Sequence, residues 1–558
     1  MVPLPGGNAK RGARAGFEDG SGRGQKIPAA AGHPSRMIPD YLERFDRNAV
    51  LWGLVFFGIL LRILQYIADP SLWLDESMLA LNLIHRDFSG LRAPLDYEQA
   101  APLLFLYLER CAVIAWGKGG MALRAVPFIS GVAVMPLGLL TIRRLLPKGT
   151  WAFGLLLLAV SDPLIDYSCQ LKPYALDAAA ALLVIYLVLR LIQNKRAPIE
   201  LLLLGGLGII GPWLSYPLIF VMPMGFAVLF LAKNTRGDRL RIMGAVGAVL
   251  LWISSLLGLF VYLSGWASVS SLQGVWARSG GFAPFPPSSA EDLLWYARSA
   301  YLLFRMPGGL LIPIAGLILM IPALINLIRT RAWALSVLLL GPLFLALLAS
   351  GFALYPFSGR LLLFLSPSLI FLLALGFSEV AAYLRSLEIV KRGKGKGKGK
   401  ALAFTALFIL LAGATVGVET MRACYGIIRP RGREEVREMV SFLVQRAHAD
   451  DLVYVYYASA LPFEFYCPDP PCPLWRGIKA RANPELYYED LDEMPRQSRV
   501  WIFLSHLYNW GDLDEGRLIL DHLEEKGLLL EQHLFEGGQL ALFDLSGGSA
   551  EPHQDPTK

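Results

Sequence analysis

Charge is what this 558-residue chain has little of: Asp, Glu, Lys and Arg make up 17% of it, against 55% for hydrophobic residues. A soluble chain carries about 25% charge. The deficit is concentrated, because one apolar stretch follows another from Leu51 to about Met421. Several of them reach the ~20 residues that cross a ~30 Å hydrocarbon core. That excludes a cytosolic enzyme, a nucleic-acid binder and a secreted disulfide scaffold, and leaves an α-helical polytopic membrane protein. The 5 cysteines and 7 histidines show no zinc-type spacing. No Gly-rich phosphate loop is present, so no nucleotide site is read. The apolar stretches are nearly free of acids and show neither paired mid-membrane charges nor an internal inverted repeat, the marks of a transporter or flippase of lipid-linked glycans. That reading is the alternative to an integral enzyme. The net charge of +7 says little about partners, since cytoplasmic loops collect Lys and Arg for topological reasons.

What is present divides the chain into parts. Residues 1–47 are rich in Gly, Pro, Arg and Ala without apolar period and read as a disordered cytoplasmic tail, not a signal peptide. A transmembrane domain follows over 48–425. Its first span runs from Val50 to Ile67, and its first external loop covers 69–123, with the apolar run Pro102–Trp116 lying along the interface. Further spans are placed near 124–142, 152–168, 174–193, 199–216, 217–232, 240–263, 308–328, 333–354, 360–384 and 401–422, about eleven in all. Under this count the basic connectors at 143–148, 194–196, 233–241, 329–331 and 391–400 all fall on the side of the tail, as the positive-inside rule requires. The Lys-Gly repeat at 392–400 reads as a flexible cytoplasmic loop. An odd number of spans then puts residues 426–546, a small α/β domain, outside, before a disordered tail at 547–558. There Cys467 and Cys472 flank Pro468-Asp469-Pro470-Pro471, and an exported compartment permits a disulfide between them.

Polar clusters gather at the external ends of the spans. Asp75-Glu76 follows the first span. Partial desolvation would raise the pKa of one carboxylate and make it a general base; alternatively, Asp75 caps the next helix. Lys172 and Tyr174 offer a cation and a phenol for a phosphate or a sugar, or simply a snorkelling Lys and an aromatic-belt Tyr. Arg360, in Tyr355-Pro356-Phe357-Ser358-Gly359-Arg360, and Arg124 both open spans externally, where the positive-inside rule disfavours a cation, and their forked donors suit a lipid phosphate. Glu98 and Gln99 precede Ala100-Ala101-Pro102. Asp162, Asp166 and Asp177 are explained as turn, cap and helix-end residues.

An Asp-Glu pair after the first span, an Ala-Pro-Leu segment before an interfacial helix, Ala-Leu-Arg opening the next span, and Tyr167-Ser168-Cys169-Gln170-Leu171-Lys172-Pro173-Tyr174 together resemble the GT-C glycosyltransferases. The nearest branch is the protein mannosyltransferase and lipid A aminoarabinose transferase group (glycosyltransferase family 39-like), over most of residues 50–385. The group's external motif more often has Arg where this chain has Lys172. The resemblance implies a polyprenyl-phosphate-linked sugar donor, a glycan, lipid or protein acceptor, and a location in the inner (plasma) membrane. It further implies that Asp75 is the base, that Glu76 positions acceptor or sugar, and that Arg124 and Arg360 bind the lipid phosphate, with Glu98, Gln99, Lys172, Tyr174 and Tyr355 as further substrate contacts. Gln99 stands where relatives of the aminoarabinose type have Lys. The external loop from Ser264 to Pro307 is too short for the inserted domain of eukaryotic protein mannosyltransferases, which points to a bacterial enzyme. A lipid-linked sugar phosphate already carries its leaving group, so no cofactor is required; a divalent metal, as in some relatives, is compatible.

Overall fold

The computed structural model describes residues 43–546, apart from 195–197, 233–237, 265–266, 392–397, 482, 484, 496–497 and 511–512. The Lys-Gly repeat at 392–397, the tail after 546 and residues 1–42 therefore lie outside the described residues. The tail boundary moves: Asp46 is buried, and its carboxylate accepts from the backbone N–H groups of Gly149, Trp151 and Ala152, so it holds the start of the helix Trp151–Val160.

Each apolar stretch folds as a helix. Among the described residues, six helices are long and apolar enough to cross a membrane, or seven if the pair Trp151–Val160 and Asp162–Cys169, bent by 54°, is one span. The break falls at Ser161, just before Pro163, whose ring nitrogen cannot donate a helical hydrogen bond. Three expected spans are shorter apolar helices, Pro198–Leu214, Leu218–Leu231 and Pro313–Arg329, and one is the long helix Lys398–Ile428. The helices pack closely through small residues. A Cβ at Gly376 would overlap the carbonyl of Leu319, so those two helices meet backbone to backbone.

Between the first two spans, Leu74–His85 and Leu103–Trp116 form a cap with its own core of Leu72, Leu79, Leu83, Phe105, Leu106 and Leu171. This cap is where the ends of several apolar helices converge.

Residues 452–544 build a five-stranded sheet. Its strands are β1 (Leu452–Val455), β2 (Leu474–Arg476), β3 (Arg499–Ser505), β4 (Leu528–Phe535) and β5 (Gly538–Asp544), in the order β2-β1-β3-β5-β4. β1 runs parallel to β2 and β3, while β5 is antiparallel to β3 and β4. Central β3 is buried on both faces from Val500 to Ser505. Val436, Met439 and Leu443 of a helix at 436–446 cover one face, and Ile519 and Leu523 of a helix at 515–524 cover the other. Edge strand β4 alternates exposed and half-buried side chains, as one solvated face demands. Cys467 and Cys472 are free thiols here, not the expected disulfide. Both are buried in the apolar cluster under the sheet, and the Cys467 Sγ turns back to its own loop, 3.9 Å from the Asp469 carbonyl.

The sheet domain is fastened to the cap. Tyr466 Oη accepts from the Leu72 N–H at 2.6 Å, Ser71 Oγ donates to Glu438 at 2.7 Å, and Arg437 pairs with Asp69 at 2.9 Å. Leu74, from the cap, joins the core beneath β1 and β3.

Candidate active site

Asp75 lies in the first turn of the helix Leu74–His85, one residue inside its start. The N-cap is Trp73, and no side chain caps the helix, so the capping alternative for Asp75 does not describe this site. Its carboxylate instead collects cations from elements distant in sequence. Lys172 Nζ lies 3.2 Å from Oδ1, and an Arg360 guanidinium nitrogen lies 2.8 Å from Oδ2, an ion pair out of hydrogen-bonding alignment. Gln99 links the set: its amide nitrogen is 3.4 Å from Asp75 Oδ1, and its oxygen accepts from Lys172 Nζ at 2.7 Å. Aromatic rings wall the arginine, with Trp73 at 5.6 Å and Tyr174 at 5.9 Å from its central carbon. Tyr174 meets Tyr167 edge-on at 5.3 Å, and Tyr355 Oη donates to the Leu361 carbonyl at 2.8 Å.

The electrostatics reverse one expectation. Burial alone pushes the Asp75 carboxyl up, but Lys172 and Arg360 outweigh it and hold its pKa down at about 2. Burial lowers the Lys172 ammonium, with Asp75 opposing.

Glu76 and Arg124 stand apart as a buried latch. All five guanidinium N–H donors of Arg124 are spent: on both Glu76 carboxylate oxygens at 2.8 and 2.7 Å, on Asp69 at 3.2 Å, and on the Pro70 and Ser71 carbonyls. Glu76 also accepts from the Leu171 N–H at 2.7 Å. With Arg124 only 2% and Glu76 only 1% exposed, neither has a donor or a face left for substrate. Their geometry ties the cap to the segment carrying Lys172, a positioning role in place of the substrate contacts expected. Glu98 is exposed, with φ of +54°.

Asp162 receives Arg422 and Arg431, at 2.7 and 2.6 Å, and Asp166 takes Gln170. The sequence reading missed Trp73 and Arg433. Arg433 comes from the start of the sheet domain and lies 4.3 Å over the Trp73 ring and 3.5 Å from Asp166. No local pattern marks it, because its partners are hundreds of residues away.

Among the described residues no three His, Cys, Asp or Glu side chains gather, and both oxygens of Asp75 already face cations.

No protein-family model and no curated protein matches the chain. Solved structures do. The crystal structure of ArnT from Cupriavidus metallidurans bound to undecaprenyl phosphate aligns with a TM-score of 0.50 at 12% identity, covering 88% of this chain and 98% of ArnT. The fold is of the GT-C type. Apo ArnT from the same organism aligns at 0.46 and 11% identity over 89% and 98% of the two chains. An Archaeoglobus fulgidus oligosaccharyltransferase in complex with Zn and sulfate aligns at 0.45 and 15% identity, over 81% and 68%. In this chain the Asp75 cluster sits on the cap, between the helical domain and the sheet domain.

Proposed function

We propose that the chain is a glycosyltransferase that moves a sugar from a polyprenyl-phosphate-linked donor to an acceptor hydroxyl at the external face of the membrane. The observation that carries this reading is the pair of cations, buried Lys172 and half-buried Arg360, held on one carboxylate, Asp75, beside Trp73 and Tyr174. It stands on a fold shared with ArnT, whose structure contains undecaprenyl phosphate. The eleven-span arrangement, with the tail inside and the sheet domain outside, belongs to the same proposal. It rests on the basic connectors and on eleven helices at the eleven expected places.

The chemistry follows from the cluster. The donor's phosphate draws Lys172 and Arg360 to its oxygens, and Asp75, losing its counter-ions, becomes basic enough to act. The acceptor oxygen attacks the anomeric carbon, its proton passes to Asp75, and the bond to the phosphate oxygen breaks. The two cations stabilise the departing lipid phosphate. A single displacement inverts the anomeric configuration. Gln99 holds Lys172 in place throughout.

Mass spectrometry of membrane glycans and lipids from cells with the gene deleted and restored tests the reading. A glycosylated product that disappears and returns identifies sugar and acceptor; an unchanged glycan profile overturns the transferase reading.

A further inference from the structure

A cleft of about 500 Å³ opens in the sheet domain on the side facing the cap, lined by Arg433, Glu434, His506, Asp514, Leu534 and Gln539 among others. Its volume lies in the ~300–1,000 Å³ range of small-ligand sites. It is one aromatic ring away from the proposed base. The Trp73 ring is 6.1 Å from the His506 ring and 4.3 Å from the Arg433 guanidinium carbon, and on its other contact it is 5.6 Å from Arg360, which holds Asp75.

Two polar groups here are buried and unspent. Glu434 is 5% exposed, and its Oε1 lies 2.5 Å from His506 Nδ1, while its Oε2 has no hydrogen-bond partner. The Trp73 indole N–H, next to the cleft, has none either. The Glu434 oxygen left without a partner in the cleft wall calls for a ligand that donates. The His506 ring is fixed from both sides, by Glu434 at one nitrogen and Tyr508 at the other, 3.1 Å away. His506 itself has φ of +53°, a left-handed backbone that costs energy in a non-glycine residue.

Charge narrows the class. The cleft's one arginine is already shared with Asp166 and faces the carboxylates of Glu434 and Asp514. A phosphate headgroup has no unmatched cation there. Planar polar side chains and the exposed Leu534 suit sugar hydroxyls and the C–H face of a pyranose.

We infer that this cleft binds the acceptor, and that the acceptor presents a neutral sugar, free or as part of a larger glycan. The inference rests on the glycosyltransferase reading for the word acceptor, but the sugar site stands on the cleft itself. The sheet domain then selects what is glycosylated, while Lys172 and Arg360 select the donor.

Saturation-transfer NMR on the full-length detergent-solubilised protein tests this, with methyl glycosides of glucose, mannose, galactose and N-acetylglucosamine as probes and undecaprenyl phosphate binding measured in parallel. At least one glycoside gives transfer with the wild type. Glu434→Gln, which keeps the size but removes the open acceptor, weakens it roughly tenfold, the scale of one hydrogen bond to a charged group. Gln539→Trp, which fills the cleft, abolishes it. Arg360→Ala leaves it intact. No transfer from any glycoside, or transfer indifferent to both cleft variants, overturns the inference, even where undecaprenyl phosphate binds. Cleft-dependent glycoside binding with no undecaprenyl phosphate binding sustains the sugar site and removes the proposed donor instead.

Discussion

The counter-ions of Asp75 make its basicity depend on whether the donor is bound, and that dependence is measurable. In the free protein the carboxyl pKa is held at about 2, below the ~3.9 of an unperturbed Asp. The base form exists above the pKa, so turnover is lost as pH falls through it. For kcat/KM, which reports the free enzyme, the acidic limb near 2 lies below any practical assay. For kcat, which reports the donor complex, the phosphate has taken Lys172 and Arg360, burial dominates, and the limb appears at higher pH. Lys172→Met removes one cation 3.2 Å away. At an effective dielectric of 20 the lost attraction is ~5 kcal/mol before solvation; after the desolvation that opposes it, a carboxylate beside one cation shifts by ~1–3 units. The acidic limb of kcat/KM in Lys172→Met should therefore rise to about 3–5, with a weaker KM for the donor. The assay is transfer to the acceptor identified by mass spectrometry, from pH 3 to 9, in variants matched for folded protein. Asp75→Asn in the same series should lose roughly 10²-fold or more in kcat at every pH. Coincident acidic limbs for kcat and kcat/KM in the wild type would refute the exchange of counter-ions. Near-normal transfer by Asp75→Asn would remove the base altogether.

Other outcomes follow from the same geometry. Glu76→Gln leaves the buried Arg124 charge to Asp69, 3.2 Å away, and should cost about 3 kcal/mol of stability, the low end for a broken buried pair, read as a lowered Tm in detergent; an unchanged Tm with transfer abolished would return Glu76 to the chemistry. Arg360→Ala should weaken undecaprenyl phosphate binding while circular dichroism stays native, and unaltered binding would take the lipid phosphate elsewhere. Cys467 and Cys472 should both take up an alkylating reagent in unreduced, unfolded protein, and two unlabelled thiols would restore the disulfide. Reporter fusions or cysteine labelling at Gly397 and Gly477 should report opposite sides of the membrane; the same side for both would break the eleven-span arrangement.

Hydropathy made the helices legible for a physical reason: a segment crossing lipid has to satisfy its backbone internally and show apolar side chains to its surroundings. Both demands leave a mark in a local window. In the sheet domain the sequence marks strands at 451–457, 499–504 and 540–545, the places of β1, β3 and β5, but not at β2 or β4. β2 has three residues, and β4 is an edge strand whose partner β5 supplies the burial. Asp75 and Lys172 were readable as candidates because each is a charge at a span end that the positive-inside count places outside, where nothing topological requires it.

What a local window cannot hold is the competition between two similar residues. Arg124 and Arg360 both stand at the start of an apolar stretch, at the end read from the sequence as external, and looked equivalent. Their fates are decided by partners far along the chain: Arg124 meets Glu76 and Asp69, 48 and 55 residues earlier, and spends every donor there. Arg360 meets Asp75 through one ionic contact and is otherwise walled by the rings of Trp73 and Tyr174, with a hydrogen bond to the Tyr174 hydroxyl. An arginine with all its hydrogens placed is a fastener, and one that rests on aromatic faces beside a single carboxylate can change partners. That difference, and not the identity of the residue, separates the latch that holds the cap from the cation proposed to take the phosphate. The same reasoning brings in Arg433, which stacks on Trp73 from the opposite domain and makes the sheet domain a wall of the site.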